Sequence, residues 1–154
     1  MLLFCLIAFA ALGSSQVVGY WINSTIPQNT SMEINSFLRF THIRNLGGIF
    51  GLFQGRGLIF AGFSICLLTG LVIYLWRSTA LKFHEYICWG FIVGGGTSNI
   101  LDRFIYGGVI DFIEVRHIPF WNYIFNTADM MVHAGLWPMI VFTVFFEKTD
   151  SAKN

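Results

Sequence analysis

Four stretches of mostly apolar residues, at about 2–22, 58–76, 83–100 and 126–146, occupy more than half of this 154-residue chain. Each is long enough, or nearly so, to cross a hydrocarbon core about 30 Å thick, which takes about 20 residues of helix. A backbone in lipid must satisfy its own hydrogen bonds, so such stretches read as membrane helices. Composition agrees: 55% of residues are hydrophobic and only 11% charged, against roughly 25% charged in soluble domains. Four spans place both termini on one side.

The first stretch includes "LIAFAALGSS", which has the short apolar core and small residues of a signal peptide. No basic residue precedes it, and Val17, Val18, Tyr20, Trp21 and Ile22 prolong it, so a retained helix is expected. The net charge of +1 and scattered basic residues exclude a nucleic-acid surface. Cys5, Cys66 and Cys88 lie inside apolar stretches without metal or disulfide spacing, and read as small hydrophobes.

Charge does not orient the chain. Arg77, Lys82, Lys148 and Lys153 fall on the side of the termini, and Arg39, Arg44, Arg56, Arg103 and Arg116 on the other. That second side also holds both long connections and most of the polar residues. In the first connection "FLRFTHI" alternates in the strand period, and in the second "GGVIDFIEVRHI" places β-formers after a Gly-Gly turn. Together they predict a small sheet at the membrane surface. Gly135 and Pro138 within the last stretch predict a kink.

Ionisable and amide side chains near such helices are costly, and are functional candidates for that reason. Here Asn99, Asp102 and Arg103 end the third stretch, Asp111 follows in the connection, and Asn126 and Asp129 open the fourth. Each has an ordinary role available. Asp102 could pair with Arg103 or Arg116, Asn99 could bond a neighbouring helix, and "NTAD" makes Asn126 an N-cap with Asp129 at N3. Taken together, however, Asp111 and Asp129 offer two carboxylates for one water. Close like charges share a proton, so one acid can act as base while the other donates to a carbonyl oxygen. Other hydrolytic signatures are missing: the chain has no HExxH, zinc spacing, GxSxG, P-loop or GxGD.

The segments "HIRNLGGIFGLFQG", "GGGTSNILDRFIYGGVIDF" and "FNTAD", in that order, resemble the bacterial lipoprotein signal peptidases, or signal peptidase II. The resemblance implies one integral membrane domain over 1–154 with four transmembrane helices, a small periplasmic β-cradle and a short periplasmic helix. It also implies an inner-membrane location, cytoplasmic termini and a site near the periplasmic face. Asp111 and Asp129 match the family's catalytic aspartates, and Asn45, Gly47, Asn99, Asp102, Arg103 and Asn126 match residues that line or brace the site. The implied substrate is a diacylglyceryl-modified prolipoprotein cut before its lipidated cysteine, and the implied inhibitor is globomycin. A monomer among membrane lipids is expected, without metal or cofactor.

Three departures stand out. Ser15 and Gly19 replace an acid and a lysine, Ser98 replaces a glycine, and Gly48 replaces an alanine. Weaker folding, altered substrate choice or a specialised paralogue could follow. Two rival readings remain at this point: a non-catalytic lipoprotein-binding or assembly paralogue, and a small transporter using Asp102, Asp111 and Asp129.

Overall fold

A computed structural model describes residues 1–48, 51–78 and 81–147. Ile49, Phe50, Thr79, Ala80 and the tail lysines Lys148 and Lys153 lie outside the described residues. Helices α1 (Leu2–Thr25), α2 (Gly57–Arg77), α3 (Phe83–Ile105) and α4 (Thr127–Val141) fall on the four apolar stretches. Strands β1 (Ser31–Glu33) and β2 (Leu38–Asn45) follow α1, and β3 (Val109–Val115) and β4 (Ile124–Phe125) lie between α3 and α4. Three helical segments, Leu2–Thr25, Gly57–Arg77 and Thr127–Phe145, are long and apolar enough to cross a membrane. The chain is thus a mainly helical membrane protein with a small antiparallel sheet.

Helix α3 is equally long but rich in glycine, and it packs most heavily against α1 and α4. Its backbone makes that approach itself. A Cβ on Gly94 would collide with the Ala8 carbonyl oxygen of α1, and one on Gly95 with the Ala128 carbonyl oxygen of α4. Small residues let membrane helices gain van der Waals contact where lipid offers no hydrophobic drive. Gly90 meets Ile7, while Gly94 meets Ala8 and Ala11, so α1 and α3 run parallel. Gly95 meets Ala128 and Cys88 meets Gly135, so α4 runs antiparallel to both. The ends of α1 and α3 therefore share one face with the starts of α2 and α4.

Pro138 lies inside α4, where a kink is expected. Pro138 has no N–H for the preceding turn, and the ladder widens into a π turn over Phe142–Glu147. Gly135 serves packing, since a Cβ there would strike the Cys88 carbonyl oxygen. Between β2 and α2, residues 49–50 lie outside the described residues, and residues 52–55 are turns. The cysteines are free: Cys88 is buried, Cys5 half-buried and Cys66 exposed.

The sheet has the order β1-β2-β3-β4, all antiparallel, so the two strand-like sequence segments do pair. Phe40 lies opposite Ile113 and Ile43 opposite Asp111, which leaves Thr41 and His42 facing Phe112 alone. That bulge changes the phase of β2. Before it, Arg39 and Thr41 bond Glu114; after it, Asn45 bonds Asp111. His42 is buried, its Nδ1 donating to the Ile26 carbonyl oxygen at 2.7 Å, which ties the bulge to the end of α1. Ile22 and Ile26 pack with Ile110 and Phe112, so one face of β3 closes on α1. Asp111, between them, points to the other face.

Candidate active site

Asp111 enters the site from β3, and Asp129 from the first turn of α4. Asn126 caps that helix as its sequence suggests: its Oδ1 accepts from the Asp129 N–H at 2.9 Å, and Asp129 Oδ2 accepts from the Asn126 N–H at 3.3 Å. The cap has a second use. Asn126 Nδ2 donates to Asp111 Oδ1 at 2.7 Å and to Asn99 Oδ1 at 3.1 Å, and Asn99 Nδ2 donates to Asp129 Oδ1 at 2.8 Å. Asp111 and Asp129 are therefore joined through two amide side chains.

Backbone donors determine which way those amides point. Asn126 Oδ1 is held by the Asp129 N–H, so its nitrogen must face Asp111 and Asn99, and Asn99 must turn its own nitrogen to Asp129. On the far side Asn45 Oδ1 accepts the Gly47 N–H at 3.0 Å, which aims Asn45 Nδ2 at Asp111 Oδ2 at 3.1 Å. Both Asp111 oxygens thus accept fixed donors.

Asp111 is only 3% exposed. Burial, followed by the neighbouring Asp129 charge, pushes its carboxyl up to about 7, against the opposing pull of the Asn45 and Asn126 amides and of Arg103. Burial wins because a charge in a poorly solvated site costs more than two amide bonds return. Arg103 supports the enclosure: Nη2 donates to the Gly47 carbonyl oxygen at 2.7 Å and Nη1 to that of Asn99 at 3.0 Å. Gly47 must be glycine for this approach, because a Cβ would collide with the Leu52 carbonyl oxygen.

Asp102 does not take the ion pair that was one of the roles open to it. Among the described residues it makes no ion pair with Arg103, whose Nη1 and Nη2 go to carbonyls, or with Arg116, which reaches Glu33 at 3.1 Å at the distal end of the sheet. Instead Gln16 Nε2 of α1 donates to Asp102 Oδ1 at 2.8 Å, and the Ile110 N–H donates to Asp102 Oδ2 at 3.2 Å. Gln16 is the residue that sequence reasoning passed over. An isolated amide inside an apolar span was the available signal, because such a group must find a partner within the protein. Ser98 gives Gln16 a hydroxyl acceptor at 2.9 Å. Ser15 Oγ is buried without a hydrogen-bond partner, and a Cβ on Gly19 would have nothing within 4 Å. A groove of about 350 Å³ lined by Arg116, His117, Trp121 and Tyr123 also exists, but neither acid lines it.

Fold and site together define a class: an integral membrane protein that gathers two carboxylates where its helices end. Residues 7–146 match the sequence profile of the family described as Signal peptidase (SPase) II, and the chain belongs to that family. It is 32% identical over 149 residues to a lipoprotein signal peptidase of Clostridioides difficile, covering 95% of this chain and 97% of the relative. It is 34% identical over 153 residues to one of Helicobacter pylori, covering 98% and 92%. A solved bacterial membrane enzyme superposes with a TM-score of 0.84 at 27% identity, covering 96% of this chain and 90% of the other.

Proposed function

We propose that this protein is an aspartic endopeptidase that removes the signal peptide from diacylglyceryl-modified prolipoproteins, cutting before the lipidated cysteine. Family membership supports the peptidase activity and the precursor substrate. The observation that carries the aspartic mechanism is the chain of amides joining Asp111 to Asp129.

In this reading Asp111 holds the shared proton and Asp129 is the base. Asp129 takes a proton from water as the water oxygen attacks the scissile carbonyl carbon, and Asp111 gives its proton to the carbonyl oxygen. The tetrahedral diol then collapses: Asp129 passes its proton to the departing amine nitrogen, Asp111 recovers its own, and the C–N bond breaks. Asn45 and Asn126 hold Asp111 in plane during both transfers, while Asn99 and the Asn126 N–H hold Asp129. Asp102 and Arg103 brace the enclosure.

Helix α3 is the fourth membrane span, shielded from lipid by α1 and α4, so 1–154 forms one domain. Both termini are cytoplasmic, and the acids face the periplasmic side of the inner membrane. The substrate's acyl chains, lodged in lipid, hold its scissile bond at the height of these helix ends. Globomycin-type peptides occupy the same place.

The test uses purified protein in detergent with a diacylglyceryl-modified prolipoprotein. Signal peptide is released by the parent, and Asp111→Asn and Asp129→Asn each reduce release by about a thousandfold or more. Release at near the parental rate by either variant overturns the dyad. Substrate binding without any cleavage by the parent would instead establish a non-catalytic paralogue.

A further inference from the structure

We propose that Gln16 is a positioning residue for Asp111, acting from α1 through Asp102 and the backbone amide of Ile110. This rests on the reading of Asp111 as one of the two catalytic acids.

The path has two bonds. Gln16 Nε2 donates to Asp102 Oδ1 at 2.8 Å, and the Ile110 N–H donates to Asp102 Oδ2 at 3.2 Å. Ile110 is 1% exposed and immediately precedes Asp111. Asp102 is a buried carboxylate, and among the described residues Gln16 is its only side-chain hydrogen-bond donor. The neighbouring Arg103 gives Nη1 and Nη2 to the Asn99 and Gly47 carbonyls, and its buried Nε has no hydrogen-bond partner among the described residues. Ser98 also accepts from Gln16, through Oγ at 2.9 Å and its carbonyl oxygen at 3.2 Å, so α3 holds the α1 amide at two positions one turn apart.

The position of this fastening matters because of what precedes β3. Gly107, at φ +77°, turns the chain from α3 toward the strand, and Gly108 packs so closely on β2 that a Cβ would lie 2.9 Å from the Asn45 carbonyl oxygen. The bond from Ile110 to Asp102 ties the start of β3 to α3 on the side away from β2. Without the Gln16 donor, a buried Asp102 must find another hydrogen-bond donor or admit water. Either change moves its second oxygen, and with it the strand that carries Asp111.

Gln16→Met keeps the length and volume but removes the donor. The experiment measures kcat, KM and the pH dependence of kcat for the parent, Gln16→Met, Asp102→Asn and the double variant Gln16→Glu/Asp102→Asn, with the folded fraction of each measured separately. The double variant exchanges amide and carboxylate, so the amide placed at position 102 still accepts from Ile110 and now donates to the carboxylate at position 16. Gln16→Met is expected to lower kcat per folded molecule by about 30-fold to 100-fold, the scale of a misplacement near 1 Å. KM stays within about threefold and the high-pH limb of kcat shifts, while the exchanged pair recovers kcat to within about tenfold of the parent. Unchanged kcat per folded molecule in Gln16→Met, or a loss that tracks the folded fraction with an unmoved pH profile, overturns the proposal. Failure of the exchanged pair to exceed Asp102→Asn also overturns it. Asp111→Asn, assayed alongside, separates the two levels: activity in that variant removes the dyad reading itself, and inactivity leaves the Gln16 result to stand alone.

Discussion

Helices α2 and α3 are neighbours of similar length, 21 and 23 residues, but they satisfy their surroundings differently. Most of α2 is exposed in the protein, its hydropathy reaches 2.4, and a Cβ on Gly62 or Gly70 would have nothing within 4 Å. Helix α3 is enclosed by α1, α2 and α4, its glycines meet backbone, and it carries Asn99, Asp102 and Arg103. A helix solvated by lipid must be apolar, whereas one solvated by protein can be polar wherever its neighbours supply partners. The apolarity that makes a membrane helix easy to recognise is therefore weakest in the helix that builds the site.

The sharpest way to break this contrast is to exchange glycine for a large side chain in both helices. Gly94→Leu or Gly95→Leu should abolish folding and cleavage, because carbonyl oxygens of α1 and α4 occupy the space and backbone cannot step aside. Such overpacking exceeds the usual penalty of about 1–3 kcal/mol. Gly62→Leu and Gly70→Leu should leave yield in detergent and turnover near those of the parent. Equal tolerance in α3 would show that its close approach is not essential.

Next in size is the cap that doubles as a bridge. Asn126→Ala should lower cleavage by about a hundredfold, while helix-cap loss alone costs about 1 kcal/mol of stability. A melting curve and a rate on the same sample separate these two effects.

The pH dependence follows from Asp111, whose carboxyl is raised to about 7 by burial and by Asp129. Turnover requiring its proton should fall as pH rises through about 7. Stability has the same sign: a raised carboxyl favours the fold fully below its ordinary value near 4, and this contribution is lost as pH rises through the folded value. Asp111→Asn, although inactive, should flatten that decline in melting temperature between pH 5 and 8. A variant as pH-sensitive as the parent would assign the decline to other groups.

The smallest expected change lies on α1. Gly19→Ala should raise stability by about 0.5–1 kcal/mol, since it replaces a mid-helix glycine beside open space. Ser15→Ala should be neutral or mildly stabilising, because Ser15 Oγ has no partner to lose. The contrast with Gly94 would then show that the two ends of the α1–α3 contact are packed to different densities.

The helices were legible because length and apolarity suffice to recognise a span. Of the two long strands, β2 was legible by alternation and β3 by its β-forming residues after a Gly-Gly turn, and Asn126 with Asp129 by cap spacing. Asp111 alone read as an ordinary loop acid after Gly107 and Gly108; pairing it with Asp129 made it a candidate, and the resemblance then matched both to catalytic positions. The partner of Asp102 was not legible: Arg103 is adjacent in sequence but about 100° around the helix, and the true donor lies 86 residues away on α1. Local spacing cannot reveal a contact between helices whose separation is set by glycines. The bulge at Thr41 and His42 likewise has no strong local signature, because its cause is the fit of β2 between α1 and β3.

That bulge makes the site sensitive to chain length as well as to chemistry. Thr41 bonds Glu114 well away from the acids, so its side chain would look dispensable in a substitution survey. Deleting Thr41 or His42 would heal the bulge into regular pairing, with Ile43 still opposite Asp111 and Asn45 opposite Val109. Deleting Ile43 with the bulge kept would instead slip the end of β2 by one place, turning Asn45 toward α1 and presenting Arg44 to Asp111, so that a cation replaced an amide beside the acid. Insertions and deletions in this hairpin should therefore be tolerated in the β1–β2 turn and rejected between the bulge and Asn45, a boundary drawn by counting residues.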